Sequence, residues 1–233
     1  MRIPRSIQLS PDSGSVHKFW RCHNRAFLLK KQLVKDLYLE CTEYALKHSS
    51  VKGKVLLSSF CIMNNHTHMH LNYDQSSDTL SQFMRIAHSR FGFTYNKLHN
   101  TSGKVANERP KTPLIEDPLH CMRVHFYIEA NPIRSGVIKF EKLHLCPYSS
   151  FGFYAYGIRS KWSHLLTIPK WYLELGKSPR ERQAKYRKLF KEYLKIKENP
   201  QAMFRNFIGS YIWIDTMTGK VKVIVQKRTH PPP

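Results

Sequence analysis

The stretch CIMNNHTHMHLNY, residues 61–73, carries three histidines at alternate positions of a largely apolar run. Alternate side chains of a β-strand point to the same face, so we expect His66, His68 and His70 to line one side of a sheet. The preceding run, residues 55–63, is also typical of a strand. Asn64-Asn65 between the two runs favours a tight turn. The sequence therefore predicts a β-hairpin that presents a row of imidazoles.

Outside this hairpin, the apolar periodicity predicts further strands and helices. Residues 15–21 indicate a first strand, and residues 28–48 repeat apolar side chains at the four-residue spacing of a helix. A second helix is expected to begin with Asp78 as its cap. A third, over residues 119–130, should end near Asn131, because the following Pro132 lacks an N–H group. Residues 99–118 resemble a loop with one short strand at most. This order predicts an α+β fold with helices on one face of an antiparallel sheet.

The last third of the chain has a different composition. Residues 160–233 hold 16 of the 38 basic residues but only 5 of the 16 acidic ones. Within them, Ser178, Pro179 and Glu181 form a typical helix start, with a capping residue, a proline at the first helical position and a capping-box glutamate. We therefore expect one domain over residues 1–159 and a basic, mostly helical extension over residues 160–233.

Charge and cysteine content narrow the class of protein. The formal net charge of +22 attracts polyanions and favours a nucleic-acid partner, although a basic protein without such a role is the alternative. No apolar run approaches the roughly 18 residues of a membrane span, so no membrane partner is expected. Five scattered cysteines without a CxxC pair argue against a disulfide framework or a cysteine zinc site and favour a reducing cytoplasm.

A second motif supports a functional role for the histidine pair, because an HxH pair alone is weak evidence of metal binding. The stretch FYIEANPIRSG, residues 126–136, lies about 60 residues after the histidines. Together, MNNHTH and YIEANPIR resemble the two motifs of the single-tyrosine HUH transposases, most closely the REP-associated tyrosine transposase branch. The resemblance extends over most of residues 15–195 and implies a ferredoxin-like fold.

The resemblance also implies a chemistry. Such enzymes cleave and rejoin single-stranded DNA, commonly a folded hairpin, through a 5′-phosphotyrosine intermediate. Tyr127 would be the nucleophile, and His66 and His68 would hold a divalent cation, Mg²⁺ or Mn²⁺. Asn131, one helical turn beyond Tyr127, is the candidate third ligand; alternatively, it caps a turn that begins at Pro132.

Four arginines are candidates for contacts with DNA phosphates, although each could be an ordinary surface residue: Arg21, Arg25, Arg109 and Arg134. For His70, a packing or DNA-contact role is favoured over metal binding. Two positions depart from the family pattern. Thr67 replaces a bulky apolar residue, which is expected to cost core packing, and Asn64 replaces a proline.

Two other functions remain open at this point. The chain could be a non-catalytic nucleic-acid-binding protein with the same fold, or an HUH nickase of replication or conjugation. Members of the family act as monomers or as homodimers that exchange the tyrosine helix, and the sequence does not decide between them.

Overall fold

A computed structural model describes residues 4–9, 12–106, 108–197 and 199–229 of the chain. Its centre is a five-stranded sheet with the order β2-β3-β1-β4-β5. The strands are β1 (Gly14–Arg21), β2 (Val55–Ile62), β3 (His66–Tyr73), β4 (Leu114–Ile115) and β5 (Phe207–Ile208). Neighbouring strands are antiparallel, except that β5 runs parallel to β4. The predicted α+β fold is therefore confirmed, with one parallel pair added at the edge.

Eight helices surround this sheet in the described part of the chain. They are α1 (Arg5–Gln8), α2 (Gln32–Lys47), α3 (Ser77–His99), α4 (Pro118–Arg134), α5 (Phe151–Tyr156), α6 (Lys170–Leu173), α7 (Pro179–Lys195) and α8 (Tyr211–Thr229). A 3₁₀ turn, Pro200–Phe204, lies between α7 and β5. Within the described residues, no helix combines the length and apolar character that crossing a membrane requires.

The hairpin of β2 and β3 forms as the sequence predicts. Its turn is closed by a hydrogen bond from the Met63 amide to the His66 carbonyl at 2.9 Å. On its other side, β3 pairs with β1, so that His68 lies opposite Phe19 and His66 lies opposite Arg21. The histidine strand is thus the second strand of the sheet and has a neighbour on both sides.

Helices cover both faces of the sheet, not one face as the sequence suggested. Trp20 of β1 stacks on Tyr38 of α2 and packs edge-on against Phe91 of α3, whereas His17 of the same strand packs against Tyr127 of α4. Residues 16–20 of β1 are all buried. A strand segment that is buried on both faces needs cover on each side, and α4 supplies it on the histidine face.

The face covered by α2 and α3 contains an unusual polar group directly behind the histidines. Lys18 is fully buried; its ammonium group donates to the Thr67 hydroxyl at 3.0 Å and also contacts the Tyr38 hydroxyl. Thr67 in turn donates to Tyr38 at 3.0 Å. Burial lowers the pKa of Lys18 well below its usual value. The threonine between the two histidines is therefore a hydrogen-bonding partner here and not a defect in apolar packing.

Two helix boundaries differ from the prediction. Helix α3 is capped by Ser76, whose hydroxyl accepts from the Asp78 amide at 3.0 Å, so Asp78 lies in the first turn, where its charge favours the helix dipole. Helix α4 does not stop before Pro132 but continues to Arg134. Pro132 has no N–H group to donate to the carbonyl of Ile128, four residues earlier. The side-chain amide nitrogen of Asn131 donates to that carbonyl instead, at 3.3 Å. This bond explains how the helix passes the proline.

Residues after 160 pack against the sheet and against α4. Strand β5 extends the sheet beside β4, and Tyr186, Phe190 and Tyr193 of α7 surround Phe126 of α4. The predicted helix start holds as well, because the Ser178 hydroxyl accepts from the Glu181 amide at 3.2 Å. The C-terminal region therefore contributes side chains to the same core as the tyrosine helix.

Candidate active site

The two motifs of the sequence meet on one face of the sheet. The ring centroid of His68 lies 5.0 Å from that of His66 and 5.8 Å from that of Tyr127, edge-on in both cases. His68 and Tyr127 are buried, with 1% and 4% of their surface exposed, whereas His66 is half-buried. The strand places the imidazoles, and α4 places the phenol beside them.

Asn131 joins this group through the oxygen of its side chain. Its amide nitrogen donates to the Tyr127 carbonyl at 2.8 Å, which leaves the amide oxygen as the atom that faces outward. The Asn131 side chain contacts His66 and acts to raise the pKa of that imidazole, against the larger effect of burial. The alternative role of Asn131, as the cap of a following turn, is wrong because α4 continues past it.

A chain of hydrogen bonds fixes the tautomer of His68. The Met203 carbonyl lies 2.9 Å from Nδ1 of His17. Because a carbonyl only accepts, the neutral His17 must carry its proton on Nδ1, which leaves Nε2 as an acceptor. That Nε2 atom is 2.9 Å from Nδ1 of His68, so His68 donates from Nδ1. Its Nε2 atom then keeps a free lone pair.

His66 is held in the same tautomer by its neighbour in the turn. Nδ1 of His66 lies 2.7 Å from the side-chain oxygen of Asn65. The Asn65 amide nitrogen donates to the Arg25 carbonyl at 3.2 Å, which fixes which end of the amide is the oxygen. His66 therefore donates from Nδ1 and has its lone pair on Nε2.

These histidines are neutral at pH 7. Burial lowers the pKa of His17 and of His66 to about 4, and Arg21 adds to the effect on His66. Burial, followed by the neighbouring His17 and His66, lowers the pKa of His68 well below its usual value. Neutral imidazole is the form that ligates metals. Two imidazole lone pairs and one amide oxygen thus form a donor set that fits a divalent cation.

Another group of possible ligands lies at the opposite end of α4. Glu116, Asp117 and His120 have ligand atoms close to one another. Two of them have structural roles, however: Asp117 caps α4 by accepting from the His120 amide at 2.9 Å, and Glu116 accepts from the hydroxyl of Ser210 at 3.1 Å. Ten residues of helix, about 15 Å, separate Asp117 from Tyr127. This cluster is therefore not part of the tyrosine site.

The four candidate arginines lie at different places around the site. The Arg134 guanidinium lies 5.0 Å from the ring centroid of Tyr127 and donates to the Tyr193 hydroxyl at 2.9 Å. Arg21 covers the ring of Phe19 at 5.1 Å, next to His66. The Arg25 side chain is exposed, and only its carbonyl supports the site, through Asn65. Arg109 lines a cleft that begins at Phe204.

Sequence reasoning missed His17, Asn65 and Phe204. His17 alternates with Phe19 along β1, which was a visible signal, but its contact with His68 depends on the register of two strands that are far apart in the chain. Phe204 lies near the C-terminus; its ring centroid is 6.1 Å from that of Tyr127 and 6.2 Å from that of His68. Nothing in the local sequence indicates this approach.

No known protein-family model and no curated protein matches the chain. Among solved structures, it is similar to one described as "Structure of the REP associates tyrosine transposase bound to a REP hairpin", with a TM-score of 0.51 and 15% sequence identity. The alignment covers 64% of this chain and 83% of that chain. At this identity the likeness concerns the fold. In its fold, the chain is therefore similar to a REP-associated tyrosine transposase, as the two motifs imply.

Proposed function

We propose that the chain is a DNA transposase that cleaves and rejoins single-stranded DNA through a covalent bond to Tyr127. The observation that carries this proposal is the meeting of two distant motifs, in which Tyr127 lies edge-on against His68 and Asn131 contacts His66 beside them. The similar solved structure is described as bound to a REP hairpin, which supports hairpin-containing DNA as the partner.

In the cleavage step, the Tyr127 hydroxyl oxygen forms a bond to the scissile phosphorus while the bond from phosphorus to the 3′ oxygen breaks. The phenol loses its proton and the departing 3′ oxygen gains one, so the step is balanced. The products are a 5′-phosphotyrosine and a free 3′ hydroxyl. Because one phosphodiester replaces another, a 3′ hydroxyl can reverse the step and join strands without an external energy source.

His66, His68 and Asn131 would hold the divalent cation, Mg²⁺ or Mn²⁺. When bound, such a cation would polarise the scissile phosphate and offset the charge that develops on it. The protein's own contribution is the orientation of the ligands: the Met203 carbonyl and Asn65 direct the two Nε2 lone pairs before any cation arrives.

The basic residues would hold the substrate. Arg134 lies over the Tyr127 ring and Arg21 lies beside His66, where each could pair with an oxygen of the reacting phosphate. We assign Arg25 and Arg109 to phosphates farther along the strand, because their side chains lie outside the group around Tyr127. Because Tyr127 packs against His68 of the same chain, a monomer would have a complete site, and no exchange of the tyrosine helix between subunits would be needed.

One observation favours a second candidate, a non-catalytic DNA-binding protein. Tyr127 is almost completely buried, and the Phe204 ring packs against it. A nucleophile must reach its phosphate, so this cover must move or the tyrosine is structural.

A denaturing gel distinguishes the two candidates. Purified protein is mixed with Mn²⁺ or Mg²⁺ and labelled hairpin oligonucleotides with single-stranded flanks, taken from the DNA around its own gene. The transposase proposal predicts a protein–DNA adduct that survives denaturation, is absent with a chelator, is lost in Tyr127→Phe and is kept in the control Tyr156→Phe. An adduct that persists in Tyr127→Phe would show that Tyr127 is not the nucleophile. No adduct with any oligonucleotide would favour the non-catalytic candidate.

A further inference from the structure

A basic cleft begins where the candidate active site ends. It has a volume of about 380 Å³ and lies between residues 108–113 and residues 204–206. Among the described residues that line it, one is acidic, Glu108, and four are basic: Arg5, Arg109, Lys111 and Arg205. A concave surface of this charge concentrates anions.

The sheet connects this cleft to the histidines. Lys111 forms two backbone hydrogen bonds with Phe19, at 2.9 and 2.8 Å, and Phe19 is the cross-strand partner of His68. Strands lie about 4.8 Å apart, which puts the backbone of Lys111 roughly 10 Å from that of His68. A DNA strand with its scissile phosphate at the histidines would therefore reach the cleft with its neighbouring phosphates.

Phe204 lies at the junction of the two sites. It lines the cleft and is half-buried. Its ring centroid lies 4.9 Å from that of Phe19, on the side that also faces Tyr127 and His68. An aromatic ring in this place offers an apolar surface on which a base of a single strand can stack, whatever its sequence.

The cleft has cations that are available to a ligand. Lys111 and Arg205 are exposed, and neither forms an ion pair with a described residue. Arg5 has a different role, because its guanidinium donates to the Pro110 carbonyl and to the Thr112 hydroxyl and so stabilises one wall.

We propose that this cleft binds the phosphodiester backbone of the single strand that flanks the scissile phosphate, with Lys111 and Arg205 at the phosphates and Phe204 stacked on a base. This assignment rests on the proposed function, since it names the path of the DNA through the same site. It also identifies residues of the C-terminal region as part of the DNA-binding surface.

The salt dependence of binding tests the phosphate contacts. The full chain is titrated in a chelator, which prevents metal-dependent cleavage, against a hairpin with a single-stranded flank and against the same hairpin without it. For the flanked hairpin, Lys111→Ala/Arg205→Ala should lower the slope of log affinity against log salt by about 1.4, or about 0.7 for each lost contact with a single strand. For the bare hairpin the slope should not change.

A matched double variant controls for the loss of charge. Lys52→Ala/Lys139→Ala removes the same two charges from exposed positions outside the cleft and should leave the flank-dependent slope unchanged. Equal slopes for the cleft variant and the wild type, or an equal change in the control variant, would overturn the proposal.

Phe204→Ala tests the stacking contact. It should weaken binding of the flanked hairpin by about 5- to 150-fold without changing the salt slope, while Phe204→Tyr should retain the affinity. Phe204→Tyr keeps the ring that packs on Phe19, so a folding defect in Phe204→Ala would not hide the result. Flanked-hairpin affinity that is the same in Phe204→Ala, once shown to be folded, would contradict the stacking role.

The two proposals fail in different ways. If the wild type forms no covalent adduct but the cleft variant loses its flank-dependent slope, the cleft binds single-stranded DNA and the transposase proposal is wrong. If the adduct forms and the slopes are equal, the transposase proposal stands and the cleft assignment is wrong.

Discussion

At the scale of single residues, the candidate site depends on atoms that do not bind the cation. The tautomer of His68 is set by His17, which in turn is set by the Met203 carbonyl. Asn65 does the same for His66. Outer partners of this kind orient metal-binding histidines and raise their basicity. The histidine pair was visible in the sequence, but the hydrogen bonds that orient His68 were not. The contact of His17 with His68 depends on strand register, and the tautomer of His17 depends on a carbonyl from a distant turn.

Replacing His17 should therefore weaken metal binding while leaving all three proposed ligands in place. In His17→Phe, we expect the affinity for Mn²⁺ to fall about 10- to 100-fold, measured by calorimetry on metal-free protein. In the wild type without metal, nitrogen chemical shifts should show His68 protonated at Nδ1, and this preference should weaken in the variant.

His70→Phe is the matched control for that measurement. His70 lies on the same strand and face and is buried, and neither of its ring nitrogens has a hydrogen-bond partner among the described residues. Its replacement should leave the Mn²⁺ affinity unchanged. Equal Mn²⁺ affinity in His17→Phe and the wild type would contradict the proposed hydrogen-bond chain.

At the scale of secondary-structure elements, α4 is the central part of the site because it carries Tyr127 and Asn131. The helix is fixed by Glu129, which is fully buried. The Glu129 carboxylate accepts from the Ser150 hydroxyl at 2.6 Å and from the Tyr186 hydroxyl. His125 Nε2 lies 3.3 Å from the same carboxylate, but it is not aligned for a hydrogen bond. Tyr186 belongs to α7, so the C-terminal region determines the position of the tyrosine helix.

Tyr186→Phe should destabilise the protein, because it removes one donor from a buried carboxylate. We expect the free energy of unfolding to fall by about 1–3 kcal/mol, measured by urea denaturation. Tyr156→Phe, on an exposed ring, should change it by less than about 0.5 kcal/mol. A loss in Tyr186→Phe that is no larger than in the control would show that this contact does not anchor α4.

The elements also show how far the sequence could be interpreted. The strands of the hairpin, helix α2 and the capped start of α7 follow from local patterns, which predict them correctly. The predicted end of α4 was wrong because the Asn131 side chain supplies the hydrogen-bond donor that Pro132 lacks. No local sequence rule includes this side-chain hydrogen bond. The cover on both faces of the sheet was also missed, because the sequence of a strand that is buried on both faces does not indicate which helix covers which side.

At the scale of the whole molecule, the fold keeps a row of histidines uncharged inside a strongly basic protein. Burial lowers the pKa of His17 and His66 to about 4. Burial, with His125 and His17 as smaller causes, lowers the pKa of His70 to about 3. In the unfolded chain each would titrate near 6.5. In the folded state these histidines therefore stay neutral at pH values at which they would be protonated in the unfolded chain.

This difference predicts that acid destabilises the metal-free protein. Below about pH 6.5 the unfolded state binds protons that the folded state does not, so the free energy of unfolding falls as the pH decreases. Each such histidine adds up to about 1.4 kcal/mol per pH unit to the slope of the free energy of unfolding against pH. Urea denaturation between pH 7 and 5 should show this slope, and His70→Phe should reduce it by one histidine's share. An unfolding free energy that stays constant over this range would contradict the assignment.

The central claim is that one cation binds beside Tyr127, and anomalous scattering from crystals soaked in Mn²⁺ tests it most directly. We predict a peak among Nε2 of His66, Nε2 of His68 and the side-chain oxygen of Asn131, on the same side of the sheet as the Tyr127 ring. A crystal that shows no peak at these atoms, or manganese only at Glu116, Asp117 and His120, would contradict the account.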